Sequence, residues 1–206
     1  MMRKTAVALA VASALALGAE AGTKFKSTWK PPDAVPVNFQ GQKVAAIVML
    51  PDESMRRGVE DELAYALTGR GQVGIPAHRL VPPEEMKDKE RVRARLEQAG
   101  VVGAVVMRAI DRQQGVSEDS AAYWVSNYYT FSGYYSWGWG GIYSPGTVRM
   151  ETMFTVEILV FDVKADKLLW AAVTETKNPK RVDDFMKDLV STAAKEVKKQ
   201  GLVAKR

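Results

Sequence analysis

The run Lys43-Val-Ala-Ala-Ile-Val-Met-Leu50 is almost entirely apolar and ends at Pro51. A short apolar run bounded by a proline is typical of a β-strand that is covered on both faces of a sheet. The sequence therefore predicts that this strand belongs to the sheet centre. It also predicts that the side chain of Ile47 is almost fully buried.

An amphipathic helix is predicted directly after this strand. It opens at Asp52 or Ser54, which are good N-cap residues, and it closes at Gly69 and Gly71. Its apolar residues recur at helical spacing, and they are Met55, Val59, Leu63, Ala66 and Leu67. The acidic triplet of residues 60–62 is expected mainly on the solvated side of this helix. It is not expected to bind a metal ion, because consecutive residues diverge by about 100° around a helix and cannot converge on one ion.

The same alternation continues towards residue 111. A short extended piece covers residues 72–81, a second helix starts at a cap on Asp88 and ends at Gly100, and an apolar strand covers residues 101–111. Strands that alternate with helices in this way are typical of an α/β layer structure with parallel neighbours.

The pattern changes in the second half of the chain. From residue 148 apolar and polar residues alternate, which predicts a long strand with one solvated face. A polar turn over residues 162–168 and a returning strand over residues 168–176 complete an antiparallel hairpin. Asn178 and Pro179 predict the start of a terminal helix, which closes near Gly201.

The amino terminus is expected to direct export. Arg3 and Lys4 precede about a dozen apolar residues, and Ala19-Glu20-Ala21 fits the small-x-small rule for signal-peptide cleavage. Such an apolar run is shorter than the roughly 20 residues that span a membrane. No cysteine follows it, so we expect a periplasmic protein that is not lipid-anchored through cysteine and has no transmembrane helix after cleavage.

The predicted organisation is one α/β (α+β) domain of two or three layers, with a mixed sheet of about five strands and three main helices. Its element order is βαβα-β-loop-ββα. Residues 1–21 are the signal peptide, 22–42 an extended leading segment, 43–201 the domain with a loop insertion at 113–147, and 202–206 a basic tail. Trp29 in the leading segment is expected to cap an edge of the core.

Composition excludes much of the usual catalytic chemistry. The 206 residues include one histidine and no cysteine, which rules out thiolate zinc sites, disulfides, iron–sulfur sites and cysteine nucleophiles. The net charge of +5 is modest and its basic residues are scattered, so nucleic acid is not an expected partner of this exported chain. No cofactor is predicted.

One segment departs from the rest of the chain. Residues 120–148 hold no charged residue in 29 positions, and ten of the 18 aromatic residues lie between Tyr123 and Tyr143. Five glycines in this segment argue against a continuous helix, since each interior glycine costs about 1 kcal/mol relative to alanine. A long loop or irregular hairpin is therefore expected, and loops of this length are usually functional or disordered.

Tyrosine and tryptophan carry a broad apolar face and a polar tip, which suits protein contacts, sugar stacking or a membrane interface. The same rings are also expected to serve a purely structural role if they fold back over the sheet as a second core. The candidate partner-binding residues are Trp124, Tyr128, Tyr129, Tyr134, Tyr135, Trp137, Trp139 and Tyr143.

No catalytic residue and no metal ligand is nominated. His78 has no second histidine, cysteine or nucleophile motif beside it, which favours a surface or loop histidine. The adjacent carboxylates of residues 84–85 and 183–184 are explained by the positive dipole at helix starts. The chain is therefore predicted not to be an enzyme, and a hydrolase acting on cell wall or glycan is the alternative.

Several short motifs carry a resemblance that covers nearly all of the mature chain. They are Ser27-Thr-Trp29-Lys30-x-Pro32, Asp162-Val-x-x-x-Lys167-Leu168-x-Trp170, and Thr174-Glu175-Thr176 followed by Asn178-Pro179. Together with the Tyr/Gly-rich loop, they resemble an uncharacterised family of bacterial exported proteins, many of them lipoproteins. More remotely, the layout is similar to the α/β domains of envelope lipoproteins that activate penicillin-binding proteins or form the curli secretion channel.

The resemblance implies an envelope assembly or scaffolding role without catalysis. The expected function is thus a non-catalytic exported cell-envelope protein that binds an envelope protein or a glycan through its aromatic loop, with a glycan-binding module as an alternative. No pore is expected, because the alternation around Trp137 and Trp139 is too short for the roughly 9–11 residues of a membrane strand.

Overall fold

The computed structural model describes residues 22–110, 129–139, 153–177 and 181–202. The predicted signal peptide, residues 203–206 of the tail and most of the insertion at 113–147 lie outside these ranges. The strands are β1 (Lys24–Trp29), β2 (Lys43–Met49), β3 (Val73–Pro76), β4 (Gly103–Ile110), β5 (Met153–Asp162) and β6 (Lys167–Lys177). The α-helices are α1 (Glu53–Thr68), α2 (Lys89–Gln98), α3 (Phe131–Gly138) and α4 (Val182–Lys199), with short 3₁₀ turns at Ala77–Arg79 and Pro83–Glu85.

The six strands form one mixed sheet in the order β1-β6-β5-β4-β2-β3. β2 pairs in parallel with both β3 and β4, as expected for strands joined through helices. β4, β5, β6 and β1 then pair antiparallel, and β5 with β6 is the predicted hairpin. The predicted mixed α/β architecture is confirmed. Among the described residues there are six strands in place of about five and four α-helices in place of three main ones.

β2 lies between β3 and β4. It is an inner strand, as its apolar sequence predicts, although only the four-residue β3 separates it from one edge of the sheet. The side chain of Ile47 is 0% exposed, which confirms its predicted burial. Odd-numbered residues of β2 enter one hydrophobic core and even-numbered residues enter the other. The strand is therefore covered on both faces because its side chains alternate across the pleat.

Helices on both faces make the fold a three-layer structure. α1 and α4 cover one face, where Leu63 and Leu189 pack in one core. α2, α3 and the two 3₁₀ turns cover the other face, where Leu96 and Phe131 pack. Met55, assigned to the apolar stripe of α1 by its spacing, is exposed.

The helix starts follow the capping rules in the first half of the chain. The Asp52 side chain accepts a hydrogen bond from the Met55 backbone N–H at 2.7 Å, and that of Asp88 accepts from the Arg91 N–H at 3.1 Å. The start of α4 differs from its prediction. α4 begins at Val182, after Arg181 in extended backbone, rather than at Pro179, whereas Asn178 and Pro179 lie outside the described residues.

The leading segment of residues 22–42 contributes a strand to the sheet. Its residues 24–29 form β1, which pairs antiparallel with β6 and is the added strand. Trp29 is the last residue of β1, which forms one edge of the sheet, and its side chain is buried in the core there. At the other end, Leu202 is buried under α4, so the folded domain includes the first residue of the predicted tail.

The alternation along β5 predicts a solvated face, and this prediction is wrong. Thr155 and Glu157, on the polar face, are buried, as are Leu159 and Phe161 further along the same face. The physical reason is α3, which packs over this face and removes it from water.

Candidate functional site

The aromatic segment contains a helix at its centre. Thr130 is the N-cap of α3, and its Oγ1 accepts a hydrogen bond from the Gly133 backbone N–H at 3.0 Å. The expectation of a loop without a helix is therefore wrong for residues 131–138. Gly133 lies in the first turn and Gly138 at the last position, where glycine costs less than in a helix interior.

A glycine at position 138 also has a packing reason. A Cβ atom built there would lie 2.6 Å from the Sδ of Met49 at the end of β2. A residue with a Cβ at this position would therefore require the Met49 side chain to shift. Burial of one face, rather than intrinsic propensity, stabilises this short helix.

The inner face of α3 consists of aromatic rings that join the core. Phe131, Tyr134 and Tyr135 are completely buried. The Phe131 ring centroid lies 5.6 Å from that of Phe161 on β5, and the Tyr134 centroid lies 5.8 Å from it. These distances are typical of aromatic pairs, so this face of α3 forms part of the folded core.

Tyr135 is fixed by a hydrogen bond to the segment before α2. Its hydroxyl donates to the backbone carbonyl of Met86 at 2.7 Å. Burial raises the pKa of the Tyr135 hydroxyl above its ordinary value, because the charged form loses its hydration. The tyrosine is therefore a neutral hydrogen-bond donor at physiological pH.

A buried ion pair lies beneath the carboxyl-terminal half of α3. Arg108 on β4 and Glu157 on β5 are register partners, and the arginine Nη2 lies 2.7 Å from the glutamate Oε2. Both side chains are fully buried. The Tyr134 hydroxyl donates to the same Oε2 at 3.1 Å. Charged groups in a core need such partners, because an uncompensated buried charge is strongly destabilising.

Trp137 stacks on this ion pair. The Cζ atom of Arg108 lies 4.1 Å from the centre of the Trp137 ring, which is within cation–π range. The Trp137 ring also contacts Tyr134, at 6.4 Å between centroids. Yet Trp137 is 39% exposed. One side of the indole is thus held by the protein while part of it faces solvent.

The amino-terminal end of α3 is held to the turn between β5 and β6. The Tyr129 carbonyl accepts from the Leu168 backbone N–H at 2.8 Å, and the Asp166 carboxylate accepts from the Ser132 N–H at 3.0 Å. The Lys167 Nζ lies 5.8 Å from the centre of the Tyr129 ring. Lys167 also donates a hydrogen bond to the Asp33 carboxylate, which lowers the pKa of Asp33. The charge of Lys167 beside this ring is thus balanced by that carboxylate.

A second polar cluster lies beside β2, beyond the point where β3 ends. Glu60 on α1, expected on the solvated side, is instead fully buried. Its carboxylate accepts from the backbone N–H groups of Val48 at 3.2 Å and His78 at 2.9 Å, and from Arg56 at 3.1 Å. The side chain therefore replaces a missing neighbour strand, because buried N–H groups need acceptors.

His78 belongs to this cluster. Its Nδ1 lies 3.0 Å from a Glu60 oxygen and its side chain is mostly buried. His78 therefore lies in a turn between elements, as one of the two predicted alternatives has it, but it is not a surface histidine. The contact with the Glu60 carboxylate holds the His78 ring in this position. The two residues are 18 positions apart in sequence, so no local pattern predicts that they meet. The Asp61 carboxylate lies further away, at 3.7 Å from the ring.

The eight candidate residues fall into three groups. Tyr134 and Tyr135 lie in the core, where a partner does not reach them. Tyr129 and Trp137 are exposed, and Trp139 is half-buried. Trp124, Tyr128 and Tyr143 lie outside the described residues.

Sequence reasoning missed Arg108 and Glu157. A signal was present, because Arg108 is the one charged residue in the otherwise uncharged run of residues 101–110. A neighbouring strand must then supply an opposite charge, and Glu157 is the acidic residue opposite it.

Within the described ranges no group of three or more histidine, aspartate or glutamate side chains is placed to hold a metal ion. A cavity of about 90 Å³ lies between the leading segment, the hairpin and α4, and no carboxylate lines it. Among these same residues no helix is both long and apolar enough to cross a membrane.

Comparison with known proteins gives structural similarity only. No protein-family model and no curated protein matches the chain. A variant of PelC from Paraburkholderia phytofirmans, a dodecamer, is 10% identical at a TM-score of 0.46, covering 81% of this chain and 93% of that one. A second PelC dodecamer from the same organism is 11% identical at a TM-score of 0.45, and the match covers 87% of this chain and 99% of that one. Lipoprotein GNA1162 from Neisseria meningitidis is 11% identical at a TM-score of 0.42, and the match covers 77% of this chain and 99% of that one.

Proposed function

We propose that this chain is a non-catalytic exported protein of the cell envelope that binds an envelope protein or a glycan through its aromatic segment. The amino-terminal residues 1–21 support export, because they carry the charge, the apolar run and the small-x-small site of a signal peptide. The proposed location is the periplasm. The proposal includes no cysteine-linked lipid anchor, because the chain contains no cysteine.

The observation that carries the binding role is the position of Trp137. Its indole is held against the Arg108 guanidinium at 4.1 Å and remains 39% exposed. An exposed ring that is already ordered loses little conformational entropy when a partner covers it. Tryptophan is also among the residues that contribute most to binding energy. Trp137 is therefore the proposed anchor, with Tyr129 as a second contact.

The polar groups around α3 support a role without catalysis. The Glu157 carboxylate is held by Arg108 and Tyr134, and the Asp166 carboxylate by Arg93 at 3.2 Å and by Ser132. A glycan hydrolase requires one carboxylic acid and one carboxylate that reach the sugar. These two carboxylates are instead bound within the fold.

Capture of a partner from periplasmic extracts tests the proposal. The full-length protein, the Trp137→Ala variant and the Tyr65→Ala variant serve as baits, and Tyr65 is a matched control because it is an aromatic residue 70% exposed on α1, on the opposite layer. We expect Trp137→Ala to lose the captured partner and Tyr65→Ala to retain it, with melting temperatures close to that of the parent protein. Equal capture by all three baits contradicts the proposal.

A further inference from the structure

Asp188 on α4 is a half-buried carboxylate that forms no ion pair with any residue the structure describes. Its Oδ2 accepts a hydrogen bond from the Thr23 backbone N–H at 2.9 Å. Asp184, one turn earlier on the same helix, differs because its carboxylate lies 3.8 Å from the Arg181 guanidinium. A half-buried carboxylate is stabilised by a cation, since burial removes part of its hydration. The position of Asp188 therefore suits a positive charge close to Thr23.

Thr23 is held in place by β6 as well as by Asp188. Its Oγ1 lies 2.9 Å from the Oγ1 of Thr176, and the next residue, Lys24, is the register partner of Glu175. Three covalent bonds separate the Gly22 nitrogen from that of Thr23, so the Gly22 nitrogen lies within about 7 Å of the Asp188 Oδ2. Gly22 itself is exposed. The Gly22 nitrogen is thus both near the carboxylate and on the surface of the domain.

The predicted signal-peptide site places this nitrogen at the cut. Ala19-Glu20-Ala21 directly precedes Gly22. When a signal peptidase hydrolyses the bond between Ala21 and Gly22, the water oxygen stays on Ala21 as part of a carboxylate. Both water protons go to the Gly22 nitrogen, which becomes an ammonium. Such α-amino groups have an ordinary pKa of about 7.7–8.0, so cleavage converts an uncharged amide into a cation at neutral pH.

We infer that Asp188 binds the amino-terminal ammonium of the processed chain, so that signal-peptide cleavage adds an ion pair between Gly22 and α4. The uncleaved chain lacks this pair, because its amide nitrogen carries no charge. The pair joins the start of the edge strand β1 to α4. The processed chain is therefore more stable than the same chain with an uncharged terminus. This inference rests on the export part of the proposed function.

Mass spectrometry and thermal melts of the periplasmic protein test the inference. The intact mass is expected to correspond to residues 22–206. Selective acetylation of the α-amine then turns the Gly22 nitrogen back into an uncharged amide without changing any side chain. At pH 6.5 and low salt we expect acetylation to lower the melting temperature by about 1–4 °C. An unchanged melting temperature overturns the inference.

Two variants show whether Asp188 is the group that the ammonium contacts. Asp188→Asn keeps an oxygen for the Thr23 N–H and removes the charge, so acetylation of this variant is expected to have little effect on its melting temperature. Asp184→Asn is the matched control on the same helix, and acetylation is expected to lower its melting temperature as in the parent protein. An equal effect of acetylation in the parent and in Asp188→Asn overturns the inference.

A salt series on the unmodified sequence does not depend on the folding of any variant. Because the Debye length is about 3 Å at 1 M salt, an exposed ion pair is screened there. The difference in melting temperature between the acetylated and the unacetylated protein is expected to fall by at least half. A difference that salt leaves unchanged contradicts an ionic contact.

Failure of the inference is distinguishable from failure of the proposed function. If the chain stays in the cytoplasm with residues 1–21 attached, the export part of the proposed function fails and the inference fails with it. If the periplasmic chain begins at Gly22 but acetylation acts equally with and without the Asp188 carboxylate, only the inference fails. A periplasmic chain that begins at another residue also overturns the inference alone.

Discussion

Glu157 on β5 lies opposite Arg108 on β4, and the two form an ion pair that is completely buried, with 2.7 Å between Oε2 and Nη2. The pair lies beneath Tyr134 and Trp137, so it connects the interior of the sheet with the exposed ring of Trp137, the proposed anchor. A change in either charged residue is therefore expected to affect both stability and the position of Trp137.

Replacing only one member of this pair should destabilise the protein strongly. Glu157→Gln leaves the Arg108 charge buried without its counter-ion, and such losses cost about 3–5 kcal/mol. The double variant Arg108→Met, Glu157→Leu removes both charges and should recover most of this loss, because apolar side chains can replace a buried ion pair. Urea denaturation measures both, and a single variant as stable as the parent protein contradicts this account.

The Glu60 carboxylate should be important for stability because it accepts hydrogen bonds from buried backbone N–H groups at the end of β2. Glu60→Ala removes the acceptor of the Val48 and His78 backbone N–H groups and leaves Arg56 without a partner. Each unsatisfied buried polar group costs about 1–3 kcal/mol. We expect lower stability and faster hydrogen exchange at the Val48 amide. Glu62→Ala, a neighbouring change on the same helix, is the control and should change neither by a comparable amount.

Two glycine-to-alanine changes should have opposite signs. Gly58 is exposed within α1 and a Cβ there meets nothing within 4 Å, so Gly58→Ala should stabilise the protein by about 0.5–1 kcal/mol. At Gly74 a Cβ would lie 2.1 Å from the Ala64 carbonyl oxygen. Gly74→Ala should therefore destabilise by about 1–3 kcal/mol through overpacking between β3 and α1. Thermal melts of the two variants give the comparison.

The two sides of α3 should respond differently to truncation. Phe131→Ala removes a completely buried ring and should cost about 3–5 kcal/mol of stability. Trp137→Ala removes a ring that is 39% exposed and should cost clearly less. The comparison requires only urea denaturation of both variants. A larger loss in Trp137→Ala would indicate that Trp137 serves mainly to cover the ion pair rather than to bind a partner.

Acid should weaken one surface contact of α2. The hydrogen bond from Arg95 holds the pKa of Glu85 below its usual range. A carboxyl with a depressed pKa in the folded state contributes stability above its unfolded pKa of about 4.3, and this contribution is lost as pH falls through the folded pKa. Arg95→Gln should therefore flatten the acid side of the stability profile. Urea midpoints from neutral to acidic pH measure the effect, with Arg91→Gln as the comparison.

The apolar pattern of the sequence was enough to place β2 inside a mixed sheet. Residues 43–50 contain no polar side chain after Lys43, so they are stable only where both faces are covered, and the burial of Ile47 follows. Asp52 and Asp88 could also be predicted as helix starts. Each side chain accepts a hydrogen bond from a backbone N–H only three residues later, so the cap depends on local sequence alone. Such features depend on near neighbours along the chain.

Tertiary packing decided the parts that sequence reasoning placed wrongly. Residues 131–138 become helical because Phe131, Tyr134 and Tyr135 bury one face against the sheet, which outweighs the local cost of glycine. β5 lacks a solvated face because that helix covers it, and Glu157 is stable there only because Arg108 stands opposite. These partners are 23 or more residues apart, and no periodicity encodes which distant segments meet.

The sequence by itself determined the alternation of helices and strands, the burial of β2, the sites of the first two caps and the concentration of aromatic residues between positions 123 and 143. Only the tertiary structure decided which of those rings face inwards. Within α3, Tyr134 and Tyr135 pack in the core while Trp137 stays exposed, since a helix turns successive side chains by about 100° and the sheet covers one side of it.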